Sequence, residues 1–74
     1  MDDYISIWAE YSKSSNTYRI AVRYHGNVKH LPNTFRLKEI WNIYALKYYM
    51  IPIVEYCIDK GINIVVYQKL KEVE

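Results

Sequence analysis

The side chains able to do chemistry are few and scattered along the 74 residues. Histidine occurs twice, at His25 and His30, and cysteine once, at Cys57. A zinc site needs paired ligands at short spacing, and neither that spacing nor a second cysteine is present. Cys57 and a histidine would form a nucleophile–base pair only if both lined one pocket. Cys57 falls late in an apolar stretch, where a free cysteine is most often a small buried hydrophobe. Gly26 and Gly61 are single and far apart, so no phosphate-cradling loop is predicted, and no cofactor is expected. Glu10, Glu39 and Glu55 are the carboxylates to weigh beside them, and no metal site is expected from these residues. A different chemistry is offered by Trp8 together with Arg19, Arg23, Lys29 and His30. An indole among cations can stack on single-stranded nucleic acid, and it is equally the composition of a protein-binding hot spot.

Charge and composition narrow the options. The net charge of +2 is too small by itself to imply a nucleic-acid partner. Residues 11–38 nevertheless contain Lys13, Arg19, Arg23, Lys29, Arg36 and Lys38 with no acid among them, so one end of the fold is locally basic. The lone cysteine excludes an intrachain disulfide and fits a reducing compartment. Met1-Asp2-Asp3 is acidic where a secretory leader would be basic. The apolar run 40–58 is broken by Lys47, Pro52 and Glu55, so no membrane span is expected. These features predict one soluble, cytoplasmic domain with a thin core, a size at which oligomerisation often supplies stability. Nine tyrosines and two tryptophans fill such a core while reaching water at its edge.

The elements that must position these groups can be read from periodicity. Residues 4–11, YISIWAEY, alternate, with Ile5, Ile7, Ala9 and Tyr11 on one side and Tyr4, Ser6, Trp8 and Glu10 on the other. Residues 18–24, YRIAVRY, place Tyr18, Ile20, Val22 and Tyr24 opposite Arg19, Ala21 and Arg23. With Tyr11 facing Tyr18 across a hairpin, Glu10 faces Arg19, Trp8 faces Ala21 and Ile7 faces Val22. Gly26 is expected in a tight primed turn leading to a third strand over 28–31, with Tyr24 opposite Lys29 and Arg23 opposite His30. Pro32-Asn33-Thr34 is a breaker and N-cap for a helix from Phe35, which Gly61 ends. Residues 62–68, INIVVYQ, form the last strand, and the tail KLKEVE is expected to fray. A right-handed crossover lays that strand parallel to the first. The predicted fold is a two-layer α/β (α+β) domain with a four-stranded mixed sheet. Its order is strand–strand–strand–helix–strand, with one long kinked helix on one face.

The helix is more apolar than one sheet face requires. Leu37, Ile40, Tyr44, Ile51 and Ile58, widened by Trp41 and Tyr48, are expected to cover Ile5, Ile7, Ile20 and Val22. A second line, Ile43, Leu46, Met50, Val54 and Cys57, exceeds the roughly 100° stripe needed and is expected to meet a partner. Pro52 removes an amide and clashes with the preceding turn, at about 3 kcal/mol in a regular interior, so the helix either bends there or restarts.

Three antiparallel strands, a long helix and a parallel fourth strand resemble the opening half of the ribonuclease H-like fold. In that family an aspartate in strand 1, a glutamate in the first helix turns and an aspartate ending strand 4 hold two divalent metals. By position these fall on Ala9 or Glu10 in WAEYS, on Glu39 in RLKEIW and on Tyr67 or Gln68 in VVYQK. Only Glu39 matches in chemistry, so the resemblance implies an inactive, cut-down relative and, as an alternative, a metal-dependent nuclease remnant. The short chain, rich in isoleucine, tyrosine and lysine, also resembles small proteins of viruses or mobile elements, archaeal ones included. The functional expectation is a non-enzymatic protein acting by protein–protein contact, as a homodimer or against a host protein. Nucleic acid is the second candidate partner, and no small-molecule ligand is expected. The expected working surfaces are Trp8, Arg19, Arg23, Lys29 and His30 on the sheet, or Ile43, Leu46, Met50 and Val54 on the helix.

Overall fold

The computed structural model describes residues 2–35 and 39–73. Two long strands, β1 (Tyr4–Ser12) and β2 (Thr17–His25), form an antiparallel hairpin. A single 3-10 turn follows at Asn33–Phe35, then the helix α1 (Ile43–Asp59) and two short strands, β3 (Ile64–Val66) and β4 (Lys71–Val73). Both short strands run parallel to β1 on the edge away from β2, and the helix covers one face. The result is the predicted four-stranded mixed sheet under one long helix.

The hairpin register is the predicted one throughout: Tyr11 pairs with Tyr18, Glu10 with Arg19, Ala9 with Ile20, Trp8 with Ala21 and Ile7 with Val22. Alternation therefore sends Ile5, Ile7 and Ile20 into the core, and Trp8, Glu10, Arg19 and Arg23 to the opposite, open face. Asn16 closes the loop in the left-handed region (φ 57°), which asparagine tolerates better than most residues.

Four strands arise by a different route from the one expected. No strand forms over 28–31. A strand there would send Val28 and Leu31 to opposite faces, because they are three positions apart. Instead both pack against the core, and Phe35 lies edge-on to Tyr56. The ring of Tyr24 stacks on His30 and its hydroxyl accepts from the Leu31 amide, in place of the expected ladder. The outer edge of β2 is met by Ile40, whose amide and carbonyl each bond Tyr18 at 2.7 Å. The fourth strand is supplied by the tail, which pairs with β1 rather than fraying. Ile64 sits opposite Ile5, but Lys71 sits opposite Glu10, so two extra residues bulge out between β3 and β4. An insertion of two preserves side-chain alternation, and Val65, Lys71 and Val73 share the open face with β1.

The helix begins later than expected. Ile40 is held extended by its bridge, so the helical stretch starts at the N-cap Asn42, whose side chain accepts from the Tyr44 amide at 2.8 Å. It runs unbroken through Pro52, so no second helix starts there. Its end is a Schellman motif: Gly61 takes φ 70° and donates to Ile58, while the Ile62 amide donates to Cys57 at 2.8 Å.

The two apolar lines of the helix exchange the roles expected of them. Leu46 (1 % exposed), Ile53 and Cys57 are buried against Ile5, Ile7 and Ile20, with Ile43, Met50 and Val54 packed beside them. The line expected to be free for a partner is the core line, and each fully buried aliphatic there contributes on the order of 1.5–3 kcal/mol. Of the line expected to cover the sheet, Tyr44, Ile51 and Ile58 are exposed, with Trp41 and Tyr48 beside them. Ile40 reaches the core through its bridge, not through the helix, and Leu37 lies outside the described residues.

Candidate functional site

The open face of the sheet gathers Trp8, Arg19 and Arg23 as the sequence predicts. The Trp8 indole donates to Glu10 Oε2 at 3.0 Å, and Arg19 Nε donates to Glu10 Oε1, also at 3.0 Å. This arrangement follows from the register, since Trp8 and Glu10 are two apart on β1 and Arg19 is directly across. Tyr67 joins the group because it continues the β3 register, one residue past the Ile7–Val66 pair, and Lys71 joins it because of the bulge between β3 and β4. The Lys71 ammonium lies 5.1 Å from the centre of the Trp8 ring, and Tyr67 meets that ring edge-on. The sequence alone does not give the register of the last strand against β1, which places Tyr67, and a bulge of two residues, which places Lys71, has no sequence signature in this stretch.

Lys29 and His30 do not join this face. His30 stacks on Tyr24, a residue on the helix side of β2, and Lys29 is exposed beyond the Gly26 turn. His25 stands in their place, stacked on Tyr4 at 4.0 Å between ring centres and within 2.9 Å of the Ser6 hydroxyl. A serine beside a histidine suggests a nucleophile and its base, but Ser6 is 1 % exposed, so no substrate carbonyl can approach it. The pair satisfies a buried hydroxyl.

The remaining chemical groups do not converge. Cys57 is fully buried, and desolvation pushes its thiol pKa up, which keeps it protonated and a poor nucleophile. Glu10 is committed to Trp8 and Arg19, while Glu39 and Glu55 are exposed on other elements. Among the described residues, no three His, Cys, Asp or Glu side chains come together in a metal-holding group. No described helix is long and apolar enough to cross a membrane. The third antiparallel strand, one of the features behind the ribonuclease H-like resemblance, is absent from the described residues.

The outer side of α1 presents a surface of another kind. Trp41 (75 % exposed), Tyr44, Tyr48 (74 % exposed), Ile51 and Ile58 follow one another at intervals of 3, 4, 3 and 7 residues. Glu55 divides the last interval into 4 and 3. With Trp41 standing just before the N-cap at its start, the row from Tyr44 to Ile58 is thus a regular 3–4 repeat about 21 Å long, the spacing of a coiled-coil seam. It is two residues out of phase with the buried line, which is about 200° around the helix, so the two apolar lines lie back to back. Comparison with protein-family models, curated proteins and solved structures finds no match for this chain.

Proposed function

We propose that this chain is a non-enzymatic binding protein that works through protein–protein contact on the outer face of α1, with a second copy of itself as a partner. The observation that carries this reading is the row Trp41, Tyr44, Tyr48, Ile51 and Ile58, solvent-exposed on a helix whose opposite side already fills the core. Those five side chains present on the order of 600 Å² of mostly apolar surface. That is at the upper end of what a lone soluble domain tolerates, and close to the roughly 800 Å² per partner that a stable interface buries.

The open sheet face supports the nucleic-acid reading less well. Its cations Arg19, Arg23 and Lys71 surround Trp8, but the ring already has Lys71 over it, and Glu10 puts a carboxylate among the cations. A stacking base would have to displace the lysine and approach that carboxylate.

Sedimentation velocity over a range of concentrations tests the proposal. The wild-type mass should rise from 9 kDa towards twice that value as concentration increases. A Tyr48→Glu/Ile51→Glu variant should stay monomeric, because two carboxylates would then be buried without partners. A wild-type mass that never leaves 9 kDa would end self-association through this face.

A further inference from the structure

We infer that the second copy docks on α1 antiparallel, across a two-fold axis between Tyr48 and Ile51, with Tyr44 of each chain against the partner subunit's Glu55. This rests on the self-association proposed above and adds its geometry. Within α1 the exposed positions 44, 48, 51 and 55 are spaced 4, 3 and 4, which reads the same in both directions. Turned end for end, the helix therefore meets itself level by level. Tyr44 falls opposite the partner subunit's Glu55 and Tyr48 opposite the partner subunit's Ile51, while Trp41, just before the N-cap, reaches the end of the pair where the partner subunit's Ile58 stands. A two-fold axis makes each contact occur twice, which is the self-complementarity that a closed dimer requires.

Glu55 selects this arrangement over its alternatives. It is the one charged residue in the row, and its side chain is exposed with no hydrogen-bond or ion-pair partner among the described residues. In the antiparallel register it receives the hydroxyl of Tyr44, itself exposed. Lys47, one turn along from Tyr44 and also exposed, flanks the same carboxylate with a positive charge. A parallel, in-register pair would instead press Glu55 against its own copy, two like charges at one level of a seam. Sliding the antiparallel pair by one heptad one way would set Glu55 against Ile51, a carboxylate facing an alkyl group with no donor, and sliding it the other way would pair Tyr44 with Tyr48 and leave both Glu55 and Ile58 outside the contact. A single polar residue in a seam specifying register in this way is well attested in coiled coils.

Disulfide trapping tests the register apart from the dimer itself. Trp41→Cys and Ile58→Cys are made separately in a Cys57→Ala background, so that Tyr44, Lys47 and Glu55 stay intact. Equal amounts are mixed and mildly oxidised. The antiparallel pair sets positions 41 and 58 of different chains side by side. It holds the two copies of position 41 at opposite ends of the helix pair, more than about 20 Å apart, far beyond the roughly 7 Å that a disulfide spans. The expected product is the mixed 41–58 dimer, with each variant alone remaining largely uncross-linked. Dominant 41–41 and 58–58 products would overturn the antiparallel register while leaving the dimer standing. Wild-type protein that sediments as a monomer at every concentration would overturn both.

Discussion

Replacing Leu46 with alanine is expected to destabilise the fold by about 2–5 kcal/mol, while Tyr48→Ala in dilute protein should cost no more than about 0.5 kcal/mol. Leu46 is among the largest fully buried side chains and lies against Ile5, Ile7 and Ile20 at the middle of a thin core. Removing three carbons there leaves a cavity under a single helix. Among the described residues no second layer lies behind that helix to collapse into the gap. Tyr48 projects from the opposite side of the same helix. For a domain this small, each kcal/mol corresponds to roughly 4–8 °C in melting temperature, so Leu46→Ala should lower it by about 10 °C or more. Thermal melts followed by circular dichroism would show the contrast, and equal effects at the two positions would mean that Leu46 does not face the core.

Gly26→Ala is the second large effect, about 2–3 kcal/mol, against about 1 kcal/mol for Gly61→Ala. Both glycines have positive φ, 72° and 70°, so alanine at either position pays the left-handed penalty. Only Gly26 is also crowded. A Cβ there would collide with the Asp3 carboxylate and lie 2.7 Å from the Asp2 carbonyl oxygen, whereas nothing lies within 4 Å at Gly61. The carboxylate cannot move aside freely, because it accepts the Asn27 amide at 3.1 Å and so fastens the start of β1 to the turn after β2. Urea titrations of the two variants would separate strain from collision. Equal losses would show that the N-terminal segment yields without cost.

Much of the sheet is legible in the sequence because alternation there has one solution. Pairing Tyr11 with Tyr18 sorts both strands at once, and it places Trp8, Glu10 and Arg19 in contact without further information. The helix is different. Its two lines share the same 3–4 spacing and nearly the same apolarity, so periodicity alone cannot say which one faces inward. Counting Leu37 and Ile40 as helical tips the choice towards the wrong line, and Ile40 is in fact extended against Tyr18. One residue does carry the answer: Glu55 belongs to the Tyr44–Ile58 row, and a carboxylate does not enter so thin a core. The buried line holds only aliphatic side chains, a thioether and a thiol. The segment 28–31 misleads for a related reason: it is short and apolar enough for a strand, but the spacing of Val28 and Leu31 suits a segment that wraps the core. The bulge between β3 and β4 leaves no trace in sequence, and with it the placement of Lys71 over Trp8 is hidden, while Tyr67 depends on the β3 register.

The helix is apolar on two sides, and each side has a surface assigned to it. One is the sheet, and the proposed other is the same helix in a second copy. The chain's two tryptophans stand one on each candidate surface, Trp8 on the open sheet face and Trp41 at the start of the outer helix row. Their indole N–H resonances, followed by NMR as the protein is concentrated from micromolar to millimolar, therefore report the two faces separately. The Trp41 signal should move or broaden with concentration, while the Trp8 signal, held by Glu10, stays in place. A concentration-dependent Trp8 signal beside a fixed Trp41 would contradict the account and make the sheet, not the helix, the working side.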